Sequence, residues 1–139
     1  MHIGGCKWIW DYVILGQPAS KANSRQMVRF GSLSRSIKSK KARDYCQHFA
    51  AQCADKIQIL EGDVALLVDV FYSSRRPDLA CLDLIQDCLQ GIAYHNDRQV
   101  KAHAANWHLD KHEPRARIRV AMLDEAAWGD TSTGVTVWS

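Results

Sequence analysis

Four aspartates surround one short amphipathic helix that the sequence predicts over residues 79–90. They precede the helix, lie on its polar face and follow it in the next turn: Asp78, Asp83, Asp87 and Asp97. Carboxylates this close repel one another at a cost that rises as water is excluded, so such a cluster is most easily held by Mg²⁺ or Mn²⁺. A metal centre of this kind promotes phosphodiester hydrolysis, because the cation neutralises charge on the phosphate and lowers the pKa of an attacking water.

The same four residues also have ordinary structural interpretations, which the spacing alone leaves open. Asp78 can cap the helix N-terminus, and Asp83 can interact favourably with the helix dipole from the first turn. Asp87 can be a solvated surface residue, and Asp97 can form a turn.

A basic segment precedes the aspartates. No acidic residue lies between Asp11 and Asp44, although lysines and arginines are frequent there. Donors in this segment and beside the aspartates are the candidate DNA contacts: Lys21, Asn23, Ser24, Arg25, Lys38, Lys40, Lys41, Arg75, Arg76, Arg98 and Gln99. Charged and neutral donors of these types suit phosphate oxygens better than base edges. The alternative is a solvated basic loop that leads into a helix.

The elements that must position these residues predict an α+β fold, with a mixed sheet and two main helices in the order β-α-β-α-β-β. The predicted strands are 8–15, 64–72, 99–109 and 116–123, and the predicted helices are 40–57 and 79–90. Residues 19–36 are interpreted as a polar loop, with Ser36 or Ser39 as the cap of the first helix. We expect residues 1–123 to form one domain and residues 124–139 to be a tail that can add an edge strand.

Composition and cysteine usage exclude several classes of protein. The 139 residues are 47% hydrophobic and 24% charged, as in an ordinary globular domain. No apolar run approaches the roughly 20 residues of a membrane span, and the N-terminus shows no secretory signal, so we expect a cytoplasmic protein. The five cysteines include no CxxC pair, which indicates reduced thiols rather than a zinc ribbon. His108 and His112 have the spacing of a helical zinc pair but fall at a predicted strand end, which disfavours zinc.

Four stretches of the chain resemble the RusA-like Holliday junction resolvases, a family of small endonucleases common in phages and prophages. They are GQPASKANSRQ at 16–26, SIKSKKARDY at 36–45, RRPDL at 75–79 and DCLQGIAYHNDRQV at 87–100. The resemblance implies a RusA-like nuclease domain over residues 1–123. It implies a homodimer that cuts four-way or other branched DNA by paired, Mg²⁺-dependent nicking in the cytoplasm of a bacterial host. By the same resemblance Asp78 and Asp97 are metal ligands and catalytic residues, with Asp87 as a further candidate.

The chain departs from the family pattern at residue 80, where the family's DLD motif reads Asp78-Leu79-Ala80. A metal-ligand aspartate is therefore missing, and the lysine that usually follows a turn later has no clear counterpart. Three explanations are open: Ala80 disables the site to trap a complex, Asp83 has taken over the ligand role, or the protein binds junctions without cutting them. Two rival classes are a non-catalytic protein that binds DNA structures and a small interaction domain whose charges only keep it soluble.

Overall fold

The computed structural model describes residues 8–19, 25–31, 33–75, 77 and 79–123. Within these ranges the elements follow the chain as strands β1 (Trp8–Leu15), β2 (Arg25–Phe30) and β3 (Leu33–Lys38), helix α1 (Lys40–Gln52), strand β4 (Val64–Tyr72), helix α2 (Leu82–Leu89), and strands β5 (Val100–Leu109) and β6 (Arg115–Met122). Short 3₁₀ turns at Leu79–Cys81 and Asp97–Gln99 flank α2. The predicted α+β class is confirmed.

β4 is an inner strand of a four-stranded sheet with the order β1-β6-β4-β5. β6 pairs antiparallel with β1 and β4, whereas β4 and β5 run parallel, with Val64 opposite Val100 and Tyr72 opposite Leu109. A parallel pair needs a crossover between its strands, and α2 is part of that crossover. α2 therefore follows the carboxyl end of β4 and returns the chain to the amino end of β5.

The core lies between one face of this sheet and the two helices. Alternate residues of β4 face it and are fully buried: Val64, Leu66, Val68, Val70 and Tyr72. Phe49 of α1 and Ile85 of α2 are fully buried against them. Burial of an aliphatic or aromatic side chain contributes about 1.5–3 kcal/mol, so this core fixes both helices relative to the strands.

A hairpin occupies the segment that the sequence predicts as a polar loop at 19–36, so that prediction is wrong. β2 and β3 pair antiparallel, from Arg25 opposite Lys38 to Phe30 opposite Leu33. The connection includes Gly31, whose φ of 63° lies in the left-handed region that glycine adopts without strain. The polar composition of the segment conceals short strands that a glycine turn separates.

Both helices are shorter than the sequence predicts. α1 ends at Gln52, while Ser39 is confirmed as its cap, because its hydroxyl accepts the Ala42 N–H at 3.2 Å. The predicted helix at 79–90 divides into a 3₁₀ turn and α2, which begins at Leu82. The predicted tail, 124–139, lies outside the described residues. Within the described ranges, no helix is long and apolar enough to cross a membrane.

Candidate active site

Several predicted site residues lie outside the described residues: Lys21, Asn23, Ser24, Arg76 and Asp78. Arg25 is the first residue of β2. Both neighbours of position 78 are described. Trp107 of β5 donates its indole N–H to the Pro77 carbonyl at 2.9 Å, and Leu79 opens the 3₁₀ turn before α2. Pro77 and Leu79 therefore lie towards the carboxyl ends of β4 and β5.

Asp97 lies at the opposite end of the sheet, in the 3₁₀ turn that leads into β5. The Gln99 amide holds this turn, because its Nε2 donates to the carbonyls of Leu60 and Gly62 at 2.8 and 2.7 Å. Its Oε1 accepts two backbone N–H groups of the turn at 2.8 and 3.1 Å. Gln99, predicted as a DNA contact, thus has its whole amide engaged. No hydrogen bond or ion pair from the described residues reaches the Asp97 carboxylate.

Asp87 is bound through both of its carboxylate oxygens. Lys38, the last residue of β3, places its Nζ 2.8 Å from Oδ2, and Gln90 donates its side-chain amide to Oδ1 at 3.0 Å. The Lys38 and Asp87 side chains are 35% and 32% exposed. The hydrogen bond that the Lys38 ammonium donates to Asp87 raises the pKa of that ammonium above its ordinary value and outweighs the opposing effect of burial. Lys38 is therefore charged throughout the physiological pH range.

Gln90 links Asp87 to Asp97. The Gln90 side-chain oxygen accepts the Asp97 backbone N–H at 3.3 Å, while its nitrogen binds Asp87. The buried Tyr94 hydroxyl donates to the Gln86 carbonyl at 2.7 Å. Burial raises the pKa of Tyr94, and the nearby charges of Asp97 and Asp87 raise it further. The structure thus brings these two acids together at the carboxyl end of α2.

Pro77 and Leu79, the described neighbours of position 78, lie at the opposite end of α2 from Asp97. Asp83 is exposed in the first turn of α2, at the end nearer Leu79. Leu79 and Leu89 are separated by roughly 16 Å along the 3₁₀ turn and helix. Ligands of Mg²⁺ lie about 2 Å from the ion, so a single cation does not span that distance. Consistently, no group of three His, Cys, Asp or Glu among the described residues could hold a metal ion.

A cleft of about 660 Å³ opens beside Pro77. Its walls come from the end of β1, from α1 and from the segment after β4, and they include Gln17, Lys41 and His48. Gln17 ties two of these walls together, because its Oε1 accepts both the N–H and the hydroxyl of Ser73 at 2.9 Å. Lys41 is a predicted DNA contact, and His48 follows it two helical turns later. The seven-residue spacing places both side chains on the same face of α1, so the sequence alone could have predicted that they lie together.

The remaining predicted DNA contacts are exposed on the surface. Lys40 pairs with Asp44 at 3.0 Å, but both side chains are exposed, so the pair adds little stability. Arg75 and Arg98 are exposed, near opposite ends of α2. Ala80 lies within the 3₁₀ turn that precedes the helix.

A pair of thiols lies beside the Lys38–Asp87 ion pair, and no pattern in the sequence predicted their contact. The Sγ atoms of Cys46 on α1 and Cys88 on α2 are 2.7 Å apart. Their hydrogen bond lowers the pKa of the Cys46 thiol to about 7, and the Lys38 charge also lowers it, against the opposing effects of burial and Asp87.

A second polar cluster lies on the sheet face away from the helices and centres on Asp69. Its carboxylate accepts hydrogen bonds from His108 at 2.9 Å, Asn106 at 3.1 Å and Arg119 at 2.5 Å. Burial favours a higher pKa for Asp69, but these three donors outweigh it and hold the pKa below its ordinary value. His108 therefore binds a carboxylate. Asp69 holds three side chains of the sheet together, a role that was not predicted from the sequence.

Comparison with known proteins gives one family. The family model for "Endodeoxyribonuclease RusA" matches residues 16–121. That span contains both helices, strands β2 to β5, the Lys38–Asp87 ion pair and the Asp97 turn. No curated protein matches the chain.

Proposed function

This chain belongs to the RusA endodeoxyribonuclease family, and we propose on that basis that it resolves four-way DNA junctions by Mg²⁺-dependent nicking of paired strands. Family membership itself implies Holliday junction resolvase activity. The observation that supports the metal dependence is the Asp97 carboxylate. Its turn is fixed by the Gln99 amide, yet no donor among the described residues occupies its oxygens. A positioned and open carboxylate suits a hard cation such as Mg²⁺ or Mn²⁺.

Within this proposal, the residues of the chain bind and orient. Asp97 holds the cation, with Asp78 as the second ligand. A bound Mg²⁺ supplies charge neutralisation at the scissile phosphate and a more acidic water. Exposed cations such as Arg75 and Arg98 orient the DNA backbone through phosphate contacts. The hydrogen bonds of the Asp97 turn limit reorientation of the ligand, which lowers the cost of assembling the reactive geometry.

We propose a homodimer as the functional unit. The described neighbours of Asp78 lie at the far end of α2 from Asp97, so one protomer does not bring these positions to one ion. A second protomer supplies the missing half of each centre if Asp78 of one chain approaches Asp97 of its partner. A C2 dimer then has two such centres, which matches the two opposed strands of a symmetric junction.

Substitution of residue 80 tests the proposed function directly. We expect Ala80→Asp to nick a synthetic four-way junction in Mg²⁺ at least tenfold faster than the parent chain, since loss of even a residue that orients a ligand costs a metal site about 10- to 100-fold. Ala80→Asn is the matched control, because it adds similar volume without charge. Thermal melting of all three proteins checks that the half-buried position tolerates the change.

The outcomes separate the alternatives. Equal nicking by the parent and Ala80→Asp moves the ligand role to Asp83, which Asp83→Asn then tests. Junction binding that falls steeply with salt, without nicking by any variant in Mg²⁺ or Mn²⁺, supports a non-catalytic junction-binding protein. Equal, weak binding to a junction and to linear duplex contradicts the proposed function altogether.

A further inference from the structure

We infer that Asp87 is a positioning residue for Lys38, whose ammonium meets a DNA phosphate beside Asp97, and that Asp87 does not ligate the metal ion. This inference rests on the proposed function and divides the acidic residues of the site into two roles. Asp97 is the open ligand, and Asp87 holds a cation of the protein itself.

The first support is the occupancy of the two carboxylates. Both oxygens of Asp87 already have donors, the Lys38 ammonium at 2.8 Å and the Gln90 amide at 3.0 Å. A metal ion would have to displace both donors and leave an ammonium without its partner. Asp97 has no such competitor among the described residues.

The second support is the way in which Lys38 is held. Its backbone is fixed by pairing at the end of β3, and its carbonyl accepts a hydrogen bond from the Arg43 guanidinium at 2.6 Å. Its ammonium is fixed by Asp87, yet the side chain is still 35% exposed. A free lysine loses much of its rotamer freedom when it binds a ligand, and a lysine positioned in advance loses less. Lys40 contrasts with it, since its side chain is 82% exposed and pairs only along its own helix.

The third support is the location of the ion pair. Gln90 joins the Asp87 carboxylate to the Asp97 backbone N–H, so the Lys38 ammonium belongs to the same cluster as the open ligand. A phosphate bound to a cation at Asp97 would present its remaining oxygens to this ammonium. Because the charges of Lys38 and Asp87 cancel, the full negative charge of Asp97 remains for the metal ion.

The first test is metal binding in the absence of DNA. It is measured by calorimetric titration of the protein with Mn²⁺. We expect Asp87→Asn to change the dissociation constant by no more than about threefold, whereas Asp97→Asn should weaken it at least tenfold. Equal weakening by the two substitutions would overturn the inference. If neither the parent protein nor Ala80→Asp binds Mn²⁺, the proposed metal dependence fails, and junction binding alone decides the role of Asp87.

Junction binding in EDTA is the second test, because the sign of the effect is informative. Loss of a negative charge near DNA should by itself strengthen binding. We expect Asp87→Asn to weaken binding at least threefold instead, since the Lys38 ammonium is no longer held. Asp44→Asn is the matched control, because it removes the same charge from an exposed lysine pair, and it should leave binding unchanged or tighter. Tighter binding by Asp87→Asn would contradict the inference.

A charge swap distinguishes two roles of Asp87. One is to position the Lys38 ammonium for DNA, and the other is only to stabilise the packing of β3 against α2. The double variant Lys38→Asp with Asp87→Lys restores an ion pair but moves the ammonium onto the helix. We expect it to recover the melting temperature lost in Asp87→Asn without recovering junction affinity. Lys38→Arg, which keeps the cation on β3, should bind within about threefold of the parent. Recovery of both melting temperature and affinity by the swap would show that the pair is only structural.

Discussion

Replacement of Gln99 by alanine should destabilise the Asp97 turn and the whole domain. The substitution removes four hydrogen bonds, of which the one to the Leu60 carbonyl is partly buried and the other three are exposed. A net value near 1 kcal/mol for the partly buried bond and about 0.5 kcal/mol for each exposed one gives a loss of about 2.5 kcal/mol. For a chain of this length that loss corresponds to a decrease in Tm of about 7–12 °C, measurable by circular dichroism.

The functional consequence is a less rigid Asp97. We expect Gln99→Ala to raise the Mg²⁺ concentration for half-maximal nicking by Ala80→Asp at least tenfold, as is typical when a residue that orients a metal ligand is lost. Arg98→Ala is the matched control for stability, because the neighbouring side chain is exposed, and its effect should stay within about 0.5 kcal/mol. Gln99→Glu keeps the size of the side chain but places a carboxylate oxygen against the two carbonyl oxygens that now accept hydrogen bonds. The repulsion should make this variant at least as unstable as Gln99→Ala. A Tm for Gln99→Ala within about 2 °C of that for Arg98→Ala, which corresponds to about 0.5 kcal/mol, would refute the argument that the amide holds the turn.

Two further predictions concern groups outside the turn. Asp69→Asn should lower the free energy of unfolding by about 3 kcal/mol at pH 7, because Arg119, 20% exposed, loses its ion partner. The depressed pKa of Asp69 contributes stability above the unfolded pKa of about 4 that is lost as the pH falls through the folded value, so urea titrations at pH 7 and 3 should show a smaller acid loss in the variant. Alkylation of Cys46, followed by mass spectrometry, should rise with a midpoint near pH 7, and Cys88→Ala should move that midpoint upward; an unchanged midpoint would contradict the assigned cause.

Strands with a strong local signal were predictable from the sequence. β1 and β4 have the predicted bounds, because each is a run of aromatic and β-branched residues that ends at turn-forming residues, Gly16 and Ser73. The β2–β3 hairpin was not predicted, since its pairing depends on contacts between strands and its composition is that of a polar loop. Local pattern also overestimated α1, because apolar residues continue beyond Gln52 as far as Ile57, although the helix ends at Gln52 and Ile57 is exposed.

The partners within the candidate site were less predictable than its residues. Helical period placed Asp83 and Asp87 on one polar face, and a turn was expected at Asp97. The ion pair between Asp87 and Lys38 joins distant parts of the chain, and no local pattern contains it. The Gln99 amide illustrates the same limit, because its partners, the Leu60 and Gly62 carbonyls, lie in a distant part of the sequence.

The direction of β5 determines which of the acidic positions can lie close to one another. A mixed sheet was expected, but the sequence did not specify which neighbours run parallel. Once β4 and β5 are parallel, the segment before α2 and the segment after it must lie at opposite ends of the crossover. Pro77 and Leu79, the described neighbours of position 78, then lie at the other end of the crossover from Asp97. Under the proposed function, this topology makes a second protomer the source of the second ligand. Mixing Asp78→Asn with Asp97→Asn protomers of Ala80→Asp should then restore nicking that neither variant has alone.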